Sequence, residues 1–78
     1  MLREDLEQMV LETIEQGLVI SEEIEAGREL GEFFELLETA EEWVRGACIL
    51  MRNSGPNLPL CLLLLHFEAI MRPYYVSE

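Results

Sequence analysis

The segment Leu58–Met71 is the sequence feature that most constrains how this chain can fold. On a helix its apolar residues fall on nearly every side: Leu58, Leu60, Cys61, Leu62, Leu63, Leu64, Leu65, Phe67, Ala69, Ile70 and Met71. The segment is too short to span a membrane, and His66 and Glu68 interrupt it. A helix that is apolar all round must be covered on most sides in water, so we expect other helices, and a partner, to cover it.

A strand across Leu60–Leu65 is the alternative for the same segment. Leucine is not β-branched, and no other strand is evident in the sequence to pair with it. A helix is therefore the favoured structure.

The N-terminal part of the chain has the pattern of amphipathic helices. Apolar residues recur at helical spacing from the start: Leu2, Leu6, Met9, Val10 and Ile14. They predict a first helix over about residues 2–16, which Gly17 can end. Ser21 is a good N-cap for a second helix over about 22–38. In the alternative, Gly17 is tolerated and the first two helices merge into one that reaches about residue 26.

The centre of the chain carries a helix-start signal. Thr39 and Glu42 have the spacing of a capping box, in which the two side chains bond to each other's backbone N–H groups. They predict a third helix over about residues 40–53.

The clearest break in the sequence is Asn53-Ser54-Gly55-Pro56-Asn57. Asn57 can cap a fourth helix over about 58–72, which Pro73 should stop because proline disfavours helix in the preceding residue. We therefore expect an all-α fold, a small bundle of three to four helices in a single domain over residues 1–78.

Charge divides the chain into an acidic part and a nearly neutral part. The net charge is −11; residues 1–42 hold fourteen acidic and two basic residues, and residues 43–78 hold two acidic and three basic ones. Without a basic patch, direct nucleic-acid binding is disfavoured, as is binding to an anionic membrane. The profile, small and acidic with amphipathic helices, is similar to that of bacterial secretion chaperones and of immunity and anti-defence proteins.

The two cysteines indicate whether the protein resides in a reducing or an oxidising compartment. Cys48 and Cys61 lie in apolar runs, where free cysteine packs as a small hydrophobe. We expect two buried thiols in a reducing compartment, with a single disulfide as the alternative. The charged start of the chain does not have the pattern of a signal peptide, so we expect a cytoplasmic protein.

Catalytic and metal-binding patterns are weak. His66 is the only histidine, and Glu68, two positions on, points to another side of a helix. Structural zinc requires four ligands in close pairs, which Cys48, Cys61 and His66 do not supply. We expect no enzyme activity, no cofactor and no metal, and a histidine at the margin of the core that is bonded to a carbonyl.

Gly27 and Gly31 lie four residues apart, on one face of the predicted second helix. Glycine inside a helix costs about 1 kcal/mol relative to alanine. The pair indicates either a close approach of another helix or a frayed or kinked segment.

We therefore predict a non-catalytic protein-binding domain, a small acidic chaperone, inhibitor or adaptor. The partner is another protein or a second copy of the chain. The predicted partner-binding residues are Trp43, Leu60, Leu63, Leu64, Phe67 and Met71. A second set, which we name the acidic surface, would attract a basic partner over long range: Glu22, Glu23, Glu25, Glu29, Glu32, Glu35 and Glu38. The alternative function is an acidic mimic of nucleic acid that blocks a basic nucleic-acid-binding protein.

Overall fold

The computed structural model describes residues 3–27 and 29–75, the last of these by its backbone only, and all regular structure in these ranges is helical. Helix α1 spans Arg3–Glu25, α2 spans Leu30–Ser54 and α3 spans Leu58–Tyr75. Each helix packs against the other two. The predicted all-α bundle of three to four helices is confirmed, with three helices.

Helix α1 is continuous through Gly17, so the merged first helix is the alternative that the structure confirms. Gly17 is buried because the Trp43 ring lies directly on it, and a Cβ at this position would come within 2.6 Å of Trp43 Cζ2. The glycine allows a close approach of α2 rather than a chain reversal. Ser21 is consequently inside α1, and its predicted role as an N-cap is wrong.

The chain reverses instead between Glu25 and Leu30. Gly27 has φ of +75°, a left-handed conformation that glycine adopts without the steric cost that other residues meet. The predicted second helix over 22–38 is therefore wrong, because this turn interrupts it. A Cβ at Gly27 or Gly31 would meet nothing within 4 Å, so neither glycine marks a close helix approach.

Helix α2 continues through Thr39, and the predicted capping box at Thr39 and Glu42 is wrong. The Thr39 hydroxyl donates to the Glu35 carbonyl at 3.1 Å, which satisfies it inside the helix. Ala40, the next residue, is fully buried. The packing of α2 against α1 and α3 thus outweighs a local signal that is sufficient to start a helix elsewhere.

The loop before α3 forms as predicted. Gly55 has φ of +93° and its N–H donates to the Met51 carbonyl at 2.8 Å, which ends α2. The Asn57 side chain accepts from the Leu60 N–H at 3.1 Å, which caps α3.

The C-terminal end of α3 differs from the prediction. The helix runs through Pro73 to Tyr75, so the predicted stop at residue 72 is wrong. Pro73 has no N–H, so the helical hydrogen bond to the Ala69 carbonyl is lost, and the helix ends two residues later. Residues 76–78 of the predicted tail lie outside the described residues.

The core is centred on Trp43. Its indole N–H donates to the Thr13 carbonyl at 2.8 Å, and its ring meets Phe67 edge to face at a centroid distance of 5.2 Å. Small residues around it, Ala40 and Ala47, let the three helices approach one another. The buried apolar side chains are Ile20, Ile24, Leu37, Ala40, Trp43, Ala47, Leu50, Leu60, Leu63 and Phe67.

Both cysteines are free thiols. Cys48 is exposed, so its predicted burial is wrong, and Cys61 is half-buried with its Sγ 3.9 Å from Met51 Sδ.

Candidate functional site

Helix α3 carries exposed leucines on the side away from the core. Leu58, Leu62 and Leu65 are 69%, 57% and 62% exposed, and Ala69 is also exposed. Successive separations of four, three and four residues place them along one stripe of the helix. We name these four residues the outer face of α3.

The opposite side of α3, which we name its inner face, is covered by the chain itself. Its residues are Leu60, Leu63, Phe67 and Ile70, separated by three, four and three residues. The first three are buried and Ile70 packs against the core at partial burial. Helix α3 therefore has two apolar faces, and α1 and α2 cover one of them.

A groove between α2 and α3 adjoins the outer face. It has a volume of about 450 Å³, and Leu65 belongs to both surfaces. Val44, Cys48, Leu64 and Met71 line it, together with the charged residues Glu41, Glu68 and Arg72. Glu68 and Arg72 are paired at 3.9 Å. The groove is therefore apolar inside, with a charge pair at its edge.

The predicted partner-binding residues fall into two groups. Trp43, Leu60, Leu63 and Phe67 lie in the core of the chain's own fold, so in this structure they offer no free surface for a partner. Leu64 and Met71 are half-buried and line the groove.

Sequence analysis did not select the exposed leucines of α3 as partner-binding residues. These are Leu58, Leu62 and Leu65. A signal for them exists in the sequence, because the four-three-four spacing of the outer face is visible there. The spacing of the inner face is equally regular, so spacing alone does not tell which face the chain covers by itself.

The acidic surface is spread over the end of α1, the turn and the first half of α2. Six of its seven glutamates are exposed and Glu23 is half-buried. Residues 22–42 contain nine glutamates and a single basic residue, Arg28. This part of the molecule is therefore strongly negative, in contrast to α3.

His66 links α3 to α1. Its Nε2 is 3.0 Å from the Ser21 hydroxyl and 3.8 Å from a carboxylate oxygen of Glu25. A catalytic serine–histidine–carboxylate relay uses both ring nitrogens, one for the hydroxyl and the other for the carboxylate. Here both groups face the same nitrogen, so the cluster joins two helices without forming that relay. His66 is half-buried as predicted, but its partner is a hydroxyl rather than a carbonyl.

Within residues 3–27 and 29–75, no three His, Cys, Asp or Glu side chains are grouped so that they could hold a metal ion. None of the three helices, as far as they are described, combines the length and the apolar character needed to cross a bilayer.

Comparison with known proteins gives no significant match, whether to a protein-family model, to a curated protein or to a solved structure. The exposed residues of α3 and of the acidic surface are therefore the basis for the function that we propose.

Proposed function

We propose that this chain is a non-catalytic protein-binding domain, a small acidic chaperone, inhibitor or adaptor, which binds through the outer face of α3 and the adjoining groove. The observation that carries the proposal is the stripe of three leucines, each more than half exposed, beside an apolar groove. Exposed apolar patches of this kind mark interaction surfaces in soluble proteins.

The apolar area of the outer face limits the binding energy that this chain can contribute. Complete burial of one leucine contributes about 1.5–3 kcal/mol. Scaled by their present exposure, Leu58, Leu62 and Leu65 together contribute roughly 3–6 kcal/mol. Micromolar affinity requires about 8 kcal/mol. The outer face of one chain falls short of this, so the partner's apolar side chains, and the half-buried Leu64 and Met71 in the groove, supply the rest of the binding energy.

The acidic surface contributes mainly to the approach of the partner. Its glutamates lie on α1, the turn and α2, whereas the outer face of α3 is made of leucine and alanine. Charges outside the apolar contact raise the association rate of an oppositely charged partner more than they raise affinity. We expect the acidic surface to speed the approach of basic molecules, and the outer face of α3 to supply the apolar contact that holds the bound partner.

A photo-crosslinking amino acid placed on α3 tests the proposal in the native cell. Leu65 on α3 and Leu18 on α1 form a matched pair, since both are leucines that are more than half exposed, at 62% and 51%. The probe at position 65 should form a crosslink to protein that is lost when Leu62→Asp is added to the same chain. The probe at position 18 should form none.

Crosslinks from position 18 in place of position 65 would overturn the proposal, because they would place the contact on α1. The same conclusion would follow if the crosslinks from position 65 persisted unchanged in the Leu62→Asp chain.

The second candidate function, an acidic mimic of nucleic acid, is favoured by the exposure of the acidic surface. In that case the glutamates would supply the binding energy. Substitution of Glu29, Glu32, Glu35 and Glu38 by glutamine would abolish binding to the basic partner, and affinity would fall steeply with salt. Binding that persisted at high salt and tolerated the four substitutions would exclude the mimic.

A further inference from the structure

The spacing of the outer face of α3 is that of a helix–helix seam. Leu58, Leu62, Leu65 and Ala69 repeat at alternating separations of four and three residues, the pattern by which one helix packs along another. The inner face has the same kind of spacing and does pack against helices. We therefore expect a helix, rather than a loop or a strand, across the outer face.

The helix that covers the outer face can be sought among the exposed helix faces of the chain itself. On α1 the exposed apolar residues are Met9, Leu11, Leu18 and Val19, and Leu11 and Leu18 share one side of the helix with Glu15 between them. On α2, Leu30 and Phe34 lie one turn apart at the start of the helix, and the third exposed apolar residue, Ile49, lies fifteen residues further on. Within the described ranges, only α3 shows four exposed apolar residues in consecutive seam positions. A second copy of this chain would supply the matching helix through its own α3.

Charge determines where two copies can approach each other. Each carries a net charge of −11, so two copies repel wherever their carboxylates face each other. From Leu58 to Tyr75 the acidic and basic residues are Glu68 and Arg72, and they are paired at 3.9 Å. This face is therefore close to neutral. A basic partner would be drawn instead towards the acidic surface, which favours a second copy as the occupant of the outer face.

Relative orientation follows from the position of Arg72, which lies three residues beyond Ala69 at the end of the same stripe. Parallel packing of two α3 helices would bring the two Arg72 side chains together. Antiparallel packing moves them to opposite ends of the contact and places Leu62 and Leu65 near the twofold axis. The same patch then serves both copies, as a twofold interface requires.

We propose that the outer face of α3 packs antiparallel against the outer face of α3 in a second copy, which forms a twofold-symmetric dimer. The inference rests on the proposed function, because it names the partner of the same surface. A domain of this size buries a limited share of its apolar surface by itself, and the dimer covers a further part of it.

Sedimentation equilibrium of the purified chain tests self-association. The mass should approach twice that of the chain as concentration rises, and Leu62→Asp should raise the dissociation constant at least about 100-fold. Leu18→Asp is the matched control on α1 and should leave it unchanged. Helical circular dichroism of both variants verifies that they remain folded. A wild-type chain that stays monomeric, or equal effects of the two substitutions, would overturn the dimer.

Engineered disulfides test the orientation, in a chain in which Cys48→Ser and Cys61→Ala remove the native thiols. Leu62→Cys and Leu65→Cys, near the proposed axis, should each form a covalent dimer on mild oxidation. Leu58→Cys should not, because antiparallel packing separates the two copies of this residue by roughly 15–20 Å along the helix. A covalent dimer through position 58 would contradict the antiparallel arrangement.

The crosslinking experiment in cells separates this inference from the proposed function. If position 65 captures only a different protein and the purified chain is monomeric, the protein-binding function holds and the dimer is wrong. If position 65 captures no protein and the chain is monomeric, both are wrong.

Discussion

The inner and outer faces of α3 differ in their surroundings far more than in their sequence. Both consist of apolar residues at alternating separations of three and four, and leucine supplies two of the four residues of the inner face and three of the four of the outer face. The inner face is covered by α1 and α2, whereas Leu58, Leu62 and Leu65 on the outer face are each more than half exposed. The apolar pattern of a helix therefore indicates that its apolar faces are to be covered. Which of them is covered within the same chain depends on the other helices of that chain.

Contacts of the inner face with α1 and α2 account for this difference. Gly17 on α1 lets α3 approach closely, since a Cβ on Gly17 would come within 3.0 Å of Leu63 Cδ1. Trp43 on α2 meets Phe67 edge to face.

The largest expected loss of unfolding free energy appears when two adjacent leucines of α3 are compared. Leu63 is 9% exposed and Leu62 is 57% exposed. Leu63→Asp would bury an unpaired carboxylate and should cost more than about 4 kcal/mol of unfolding free energy, enough to abolish cooperative unfolding. Leu62→Asp should leave the folded helix content unchanged and remove self-association. Chemical denaturation followed by circular dichroism measures both, and equal destabilisation would refute the two-faced account of α3.

A second pair compares truncations on the two faces. Phe67 is fully buried, and Phe67→Ala should lower the free energy of unfolding by about 3–5 kcal/mol through the cavity that it leaves. Leu65→Ala should cost less than about 1 kcal/mol at concentrations where the chain is monomeric. Urea unfolding of dilute samples measures the two values. A larger loss for Leu65→Ala than for Phe67→Ala would reverse the assignment of the faces.

A third comparison tests the close approach beneath the inner face. Gly17→Ala should destabilise the chain by about 1–3 kcal/mol, because the added methyl group overlaps the Trp43 ring. Gly46→Ala is the control within α2, where a Cβ would meet nothing within 4 Å, and it should stabilise by up to about 1 kcal/mol. Thermal unfolding of both variants gives the sign of each change. Stabilisation by Gly17→Ala would show that Trp43 does not lie on this glycine.

The smallest effect concerns the link between α1 and α3. Ser21→Ala removes the hydrogen bond to His66 and should cost about 1 kcal/mol. Thr39→Ala removes a hydroxyl that is bonded within its own helix, at an exposed position, and should cost less or be neutral. Denaturation midpoints at neutral pH compare the two. A loss at Thr39 that exceeded the loss at Ser21 would indicate that the His66 contact does not stabilise the packing of α3.

Much of the fold was predictable from local patterns. The all-α class, the loop at Gly55, the cap at Asn57 and the start of α3 follow from strong local signals, and the structure confirms each of them. The predicted breaks at Gly17 and Thr39 were wrong because the same residues serve tertiary purposes here. Gly17 makes room for Trp43, and the Thr39 hydroxyl bonds to the preceding turn.

The candidate surface was predicted less well than the fold. Helix α3 was correctly expected to be apolar all round, but four of the six chosen anchors, Trp43 among them, lie in the chain's own core. Choosing large aromatic residues and leucines as anchors selects core residues as readily as interface residues, since cores and interfaces both bury apolar side chains. Gly17 of α1 and Trp43 of α2 contact the inner face, and only their positions in three dimensions show which face is covered.

Leucine methyl NMR with a soluble paramagnetic agent compares the two faces of α3 most directly. In a concentrated solution of the purified chain, the methyl groups of Leu62 and Leu65 should be protected to nearly the same degree as those of Leu60 and Leu63. On dilution, Leu62 and Leu65 should become accessible while Leu60 and Leu63 remain protected. Leu62 and Leu65 methyl groups that stay accessible at every concentration would contradict the dimer through the outer face of α3.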